Sequence, residues 1–331
     1  MMNEDNILEI KDLHKHFPIR GKGILSRNVG YVKAVNGVSL KLKAGESLGL
    51  VGESGCGKTT LGRLVIRAHE PTGGEVLYRK QNGDECNIPR LSSGELFDIR
   101  PEISMIFQDP YSSLNPRMTV QQIVGEPLVC NKMLSGKALK DRVAELIELV
   151  GLNSRHLERY PHAFSGGQRQ RIGIARALAT NPRLLICDEA VSALDVSVQA
   201  QILNLLLDLQ SRLGFSYIFI SHDLGVIKHV SDRVGVMYVG QIVELGDTKS
   251  VYDNPLHPYT QSLLGARPVT DPRNKAKKTP LMGEVANPSN PPDGCFFHPR
   301  CSQCVNVCKE KSQSFREVRP DHFVLCDQAK A

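Results

Sequence analysis

The stretch "ESLGLVGESGCGKTT" constrains this chain more than any other. Residues 52–59 read G-x-x-x-x-G-K-[ST]. They follow an apolar run of strand character and open "KTTLGRLVIRAHE", whose apolar residues recur at helix spacing. A strand that enters a glycine turn and leaves as a helix can point backbone N–H groups inward around phosphate oxygens, and the helix amino terminus adds partial positive charge. The loop takes in Gly52, Glu53, Ser54, Gly55, Cys56, Gly57, Lys58, Thr59 and Thr60. Lys58 is expected to contact terminal phosphates, and the Thr59 hydroxyl to hold Mg²⁺.

A phosphate loop needs acidic partners. "LLICDE" is an apolar strand that delivers Asp188 and Glu189 at its carboxyl end, the edge of a parallel sheet where ligands bind. Asp188 is expected to hold Mg²⁺, directly or through water, and Glu189 to orient and deprotonate an attacking water. "FSGGQRQR" then offers a second small polar turn, Ser165, Gly166, Gly167 and Gln168, capped into a helix and suited to another phosphate. One domain has already used one phosphate loop. A second phosphate-binding turn therefore implies a nucleotide sandwiched between two subunits.

With that turn in place the sequence resembles the nucleotide-binding subunit of an ATP-binding cassette (ABC) transporter, over roughly residues 5–250. Phe17 in "HKHFPI" matches the family's adenine-stacking aromatic, and Gln108 in "IFQDP" its glutamine loop. "SALD" with Asp195 matches its D-loop, and His222 in "ISHD" its switch histidine. The resemblance implies ATP and Mg²⁺ as ligands, Gln108 sensing Mg²⁺ and the attacking water, and His222 donating to the γ-phosphate as charge develops. The implied fold is an α/β P-loop ATPase core with an antiparallel β subdomain and an inserted α-helical subdomain at about 119–163. A small cysteine-rich extension, 251–331, follows.

The patterning agrees with that class. "ILEIKDLHKHF" and "VKAVNGVSLKL" alternate as antiparallel strands do, and "RVAELIELVGL" has helix spacing with a glycine stop. "RLLICDE", "YIFISHD" and "RVGVMYVG" are strand-like runs separated by "GQRQRIGIARALAT" and "VSVQAQILNLLLDLQSRLG", as in a helix-covered parallel sheet. Beyond about Gly265 the chain turns proline-rich and polar, which suggests a linker and an irregular extension. The basic run Arg273 to Lys278 reads as solvated linker, and a net charge of +6 is modest for 331 residues.

Longer segments narrow the resemblance: "MIFQDPYSSLNPRMTV", "RYPHAFSGGQRQRIGIARAL" and "NPLHPYTQSLL" are similar to the ATP-binding subunits of bacterial oligopeptide and dipeptide permeases, most of all the F-type subunit. That resemblance implies a heterodimer with a paralogous ATP-binding subunit and two membrane permease subunits, with an extracytoplasmic peptide-binding protein delivering cargo. The expected location is peripheral, on the cytoplasmic face of the inner membrane. Related nickel and glutathione importers share this ATPase type. A cassette ATPase acting on nucleic acid or ribosomes is a further alternative, disfavoured because the chain has neither a second cassette nor a long coiled-coil insert. One departure stands out: the family places proline after the catalytic glutamate, and here Ala190 follows Glu189. Hydrolysis is expected to survive it.

Nine cysteines remain to be explained. No signal peptide or long apolar run is present, so the thiols are expected to stay reduced, and a local cluster then reads as a metal site. Spacing alone favours Cys301 and Cys304 as a C-x-x-C pair completed by Cys308 and either Cys295 or Cys326. The permease resemblance instead implies Cys295, Cys301, Cys308 and Cys326 as the set, with Cys304 an extra. Four thiolates suit a [4Fe–4S] cluster or, alternatively, Zn²⁺.

Overall fold

The computed structural model describes residues 2–21, 28–109, 111–266 and 283–330, so the basic run Arg273 to Lys278 lies outside the described residues. Contacts divide the chain into two compact units, each assembled from separated stretches.

The first unit comprises Met1–Glu9, Lys41–Ser47 and Leu77–Ser221. At its centre the strand Leu184–Asp188 runs parallel to Ile103–Ile106 on one side and to Ser216–Ile220 on the other. Every residue of Leu184–Asp188 and of Ser216–Ile220 is buried. Both faces are covered, which is why these segments read as unbroken apolar runs rather than as alternation. Each fully buried Leu, Ile or Phe here contributes about 1.5–3 kcal/mol by leaving water. In the same unit, ends of Asn6–Arg20, Asn28–Lys43 and Gly73–Arg79 join Glu85–Asn87 in a four-stranded sheet. Its last pair is antiparallel, with Tyr78 opposite Cys86.

Helices Val120–Cys130 and Gly136–Leu149 occupy the stretch predicted to be helical. The first begins with a reciprocal cap: Thr119 Oγ1 accepts from Gln122 N, and the Gln122 side chain accepts from Thr119 N. It packs on both Gly136–Leu149 and Gly166–Leu178. Helix Val196–Leu213 starts on the Asp195 side chain and stops at Gly214, whose φ of 72° continues the chain in the left-handed region.

The second unit comprises Ile10–Leu40, Leu48–Val76 and His222–Ala331. Its strands lie in the order Phe315–Arg319, His322–Leu325, Gln241–Asp247, Arg233–Tyr238, Ser47–Val51. Ser47–Val51 and Arg233–Tyr238 are parallel, and the other pairs are antiparallel. The extension predicted to be irregular thus supplies a hairpin that pairs with Gln241–Asp247, Glu244 standing opposite Val324.

That joint is fastened by a buried carboxylate. Glu244 is fully buried and accepts from Leu256 N at 2.7 Å, His257 N at 2.9 Å and His322 Nε2 at 2.8 Å. Three donors thus satisfy a polar group that burial removes from water. Among the described residues no helix is long and apolar enough to cross a membrane.

Candidate functional site

The phosphate loop lies in the second unit. Strand Ser47–Val51 leads into Gly52, and helix Lys58–Val65 begins immediately after Gly57. Two of its glycines are required by space as well as by φ. A Cβ on Gly52, at φ +153°, would stand 2.1 Å from the Met237 carbonyl oxygen, and one on Gly57, at φ +106°, would stand 2.0 Å from that of Ala34. The helix has no side-chain cap at its amino terminus, the end whose partial positive charge attracts an anion. Lys58 is buried, and its Nζ donates to the carbonyls of Gly52 at 2.8 Å and Glu53 at 3.1 Å. Cys56 is buried beside it, and burial raises the thiol pKa against the opposing pull of Lys58.

Phe17, the predicted adenine platform, is half-buried, edge-on to His69 at 5.6 Å between ring centres, with Lys15 Nζ 4.9 Å from its ring. His222 is exposed, one residue before Asp223, whose carboxylate caps helix Leu224–Val230 by accepting from Gly225 N at 2.6 Å.

The first unit carries the acidic pair and the second turn. Asp188 is buried at the end of its strand, and Glu189 follows with φ +47°. That conformation is costly for a residue with a side chain. It is held by Glu189 N donating to the Ile220 carbonyl at 2.9 Å. Gln108 Nε2 donates to Glu189 Oε2 at 2.8 Å, so the predicted glutamine loop and the predicted base are brought together.

Ser165 and Gln168 form a capping box on helix Gly166–Leu178: Ser165 Oγ accepts from Gln168 N at 3.3 Å, and Gln168 Oε1 accepts from Ser165 N at 3.0 Å. A cap of this kind contributes about 1 kcal/mol. Gly167 is fixed by space, since a Cβ there would meet Val198 Cγ1 at 2.5 Å, while one on Gly166 would find Leu194 at 3.5 Å. Asp195 caps its own helix, accepting from Val198 N at 2.9 Å and from Ser197 Oγ at 2.7 Å. Those bonds, the Ser197 hydroxyl first, lower its carboxyl pKa.

The cysteines gather in the second unit. Cys295, Cys301 and Cys326 are half-buried and Cys308 is buried. Cys295 N donates to the Cys308 carbonyl at 2.8 Å, tying two of the four stretches. Cys304 is half-buried, and its Sγ donates to the Val305 carbonyl at 3.6 Å. Burial pushes the Cys295 thiol up to about 11 and also raises Cys301 and Cys326, so all three stay protonated near neutrality. Among the described residues no three His, Cys, Asp or Glu side chains are placed to hold a metal ion. The arrangement among the described residues thus lends the predicted metal set no support of its own.

Three side chains that the motifs did not point to surround the loop. Arg300 pairs with the Glu53 carboxylate, the Tyr259 hydroxyl accepts from Glu53 N at 3.0 Å, and Tyr238 lies under the Arg300 guanidinium. Tyr259 lies in "NPLHPYTQSLL", Arg300 in "HPRC" and Tyr238 in "RVGVMYVG", all outside the nucleotide motifs.

With this geometry described, comparison with known proteins settles the family. Residues 35–192 match the ABC transporter family, and residues 243–308 match the oligopeptide/dipeptide transporter C-terminal region. The chain is 52% identical to the oligopeptide transport ATP-binding protein AppF of Bacillus subtilis, covering 98% of both chains. The chain belongs to the ABC transporter ATPases. This ABC ATPase is also 49% identical to the oligopeptide transport protein OppF of Salmonella typhimurium, covering 97% of this chain and 95% of the relative. Against the dipeptide transport protein DppF of Escherichia coli it is 46% identical, covering 94% and 91%. Among solved structures it is similar to the dimeric ATP-binding cassette MJ0796 in a post-hydrolysis state with ADP and Pi. There the TM-score is 0.63 at 29% identity, over 73% of this chain and 98% of that one. The predicted fold class, an ABC-type α/β ATPase with a parallel sheet and an antiparallel one, is thereby borne out.

Proposed function

We propose that this ABC ATPase hydrolyses ATP to energise the import of peptides across the bacterial inner membrane, as one member of an unlike ATPase pair beneath two permease subunits. The observation that carries this reading is the joint presence of an ABC transporter region and an oligopeptide/dipeptide transporter C-terminal region in a chain 52% identical end to end to an oligopeptide transport ATP-binding protein. We place the ATPase at residues 5–250, with its helical insert at about 119–163, and the extension at 251–331. The chain acts at the cytoplasmic face, and an extracytoplasmic peptide-binding protein supplies cargo to its permease partners.

In this mechanism the amides of residues 52–60 and the start of helix Lys58–Val65 bind the phosphates, and Lys58 moves from the loop carbonyls to the terminal phosphate oxygens. Thr59, Asp188 and Gln108 offer only oxygen donors, which suit Mg²⁺, and the ion neutralises charge on the β- and γ-phosphates when bound. Phe17 stacks on adenine. Glu189 accepts a proton from the attacking water, and Gln108, donating to that carboxylate, orients it. His222 donates to the γ-phosphate as charge develops. Ser165, Gly166, Gly167, Gln168 and Asp195 serve the nucleotide of the partner subunit. The four thiols Cys295, Cys301, Cys308 and Cys326 would be the ligands of a [4Fe–4S] cluster, or of Zn²⁺, and such a group would tie the loops of the extension together. Four cysteines within one short extension, at the spacing the permease resemblance implies, support that reading.

The test is uptake of a labelled tripeptide into proteoliposomes containing the chain, its paralogue, both permease subunits and the binding protein. Uptake should require ATP and stop with Glu189→Gln. Uptake indifferent to ATP, or copurification with RNA instead of permeases, overturns the proposal.

A further inference from the structure

We propose that Arg300 and Tyr259, both outside the nucleotide motifs, are positioning residues that set the conformation of the phosphate loop and hence its affinity for the phosphates of ATP. The inference rests on the nucleotide-binding reading of residues 52–60 and adds to it a control exerted from the extension.

Glu53, the second residue of the loop, is held on three sides. Its carboxylate receives Arg300 Nη1 at 2.7 Å and Nη2 at 3.1 Å, a bidentate pair. Its N–H donates to the Tyr259 hydroxyl at 3.0 Å. Its carbonyl accepts from Lys58 Nζ at 3.1 Å. The first turn of the loop is thus fixed partly from within the motif and partly by two side chains more than 200 residues away in sequence.

Both side chains are themselves fixed. The Arg300 side chain is 4% exposed and that of Glu53 25%, so the pair is largely shielded from solvent. A planar guanidinium matches a carboxylate through two parallel bonds, a geometry that lysine cannot reproduce. Arg300 also lies over the Tyr238 ring at 5.8 Å. Tyr259 is fully buried, with ring centres 4.8 Å from Tyr238 and 5.4 Å from Phe297. Its hydroxyl therefore has little freedom. The turn His298–Arg300 is closed by Arg300 N donating to the Phe297 carbonyl at 3.0 Å and Cys301 N donating to that of His298 at 3.3 Å.

An anchored first turn leaves the following amides preorganised, so phosphate binding has less chain entropy to overcome. Removing an anchor should weaken contacts to phosphate while leaving contacts to the base unaffected. A general loss of structure would weaken both.

The experiment measures binding of fluorescent mant-ATP and mant-AMP, with Mg²⁺, to the full chain and its variants, with circular dichroism and melting followed in parallel. Arg300→Met and Tyr259→Phe should each weaken mant-ATP roughly tenfold and leave mant-AMP within about twofold, and Arg300→Lys should recover part of the loss. Should Arg300→Met fail to fold, Glu53→Gln carries the same test, because it weakens the pair from its more exposed side. Unchanged mant-ATP affinity, or equal losses for both nucleotides, overturns the inference and leaves the nucleotide-binding reading intact. A wild-type chain that binds neither probe overturns both.

Discussion

Gln108 Nε2 donates to Glu189 Oε2 at 2.8 Å, joining residues 81 apart in sequence, and Glu189 holds its carboxylate there with a backbone φ of +47°. A non-glycine residue in the left-handed region persists only where its surroundings impose it, and such sites cluster where chemistry is done. Glu189→Gln should keep the side-chain shape and the backbone geometry while removing the proton acceptor. The expected outcome is a loss of ATP turnover of roughly 10²–10⁴-fold with ATP binding retained. Phosphate release and nucleotide affinity, measured on the same preparation, separate the two effects.

Gly52→Ala tests the loop from the other side. The new Cβ would stand 2.1 Å from the Met237 carbonyl oxygen and 2.8 Å from Cys56 Sγ, and φ +153° is strained for alanine. Backbone cannot yield as a side chain can. ATP binding should fall below detection and stability by about 2 kcal/mol or more, read from urea midpoints. Gly55→Ala supplies the contrast, because no heavy atom lies within 4 Å of its Cβ position and only its φ of +78° opposes the change.

How much of this was legible in the sequence depends on how local the signal was. The phosphate loop, the DE pair and the capped SGGQ turn were readable because each needs particular residues at fixed short spacing. "RLLICDE" and "YIFISHD" were readable as strands because burial on both faces makes them continuously apolar. The hairpin Phe315–Arg319 with His322–Leu325 was not, because its strands are short and only His322 and Val324 are buried. Arg300 was hidden for a different reason: its partner Glu53 lies 247 residues earlier, and no spacing rule links them. Resemblance singled out Gln108 and the strand end singled out Glu189, but nothing in the sequence joined them, because they stand 81 residues apart.

The cysteine reading gives a third expectation. The permease resemblance sets Cys295, Cys301, Cys308 and Cys326 apart from Cys304, whose Sγ donates to the Val305 carbonyl at 3.6 Å. Iron, sulfide and zinc should therefore be retained by anaerobically purified Cys304→Ser and lost from Cys308→Ser and Cys326→Ser. Three of the four thiols have raised pKa values, so binding should release protons, detectable as acidification of a weakly buffered sample during reconstitution. Wild-type protein with neither iron nor zinc sinks the metal reading.

Acid should loosen the same region through His257. Its ring is buried, and its Nδ1 accepts from Tyr259 N at 3.0 Å, capping helix Pro258–Gly265. The proton of the neutral ring therefore sits on Nε2. Burial lowers the pKa from 6.5 to about 4, although Glu244 pulls the other way. Between those values the unfolded chain binds a proton that the folded chain excludes. The contribution is complete above pH 6.5, is lost as pH falls toward 4, and changes no further once both states are protonated. The slope from this one group can reach about 1.4 kcal/mol per pH unit. His257→Asn keeps a capping oxygen and cannot titrate, so its urea midpoint should fall less between pH 7 and 5 than that of the wild type. Groups far from the ring contribute equally to both proteins and cancel in the difference between the two curves. Parallel curves would show that protonation of this ring is not opposed by the fold.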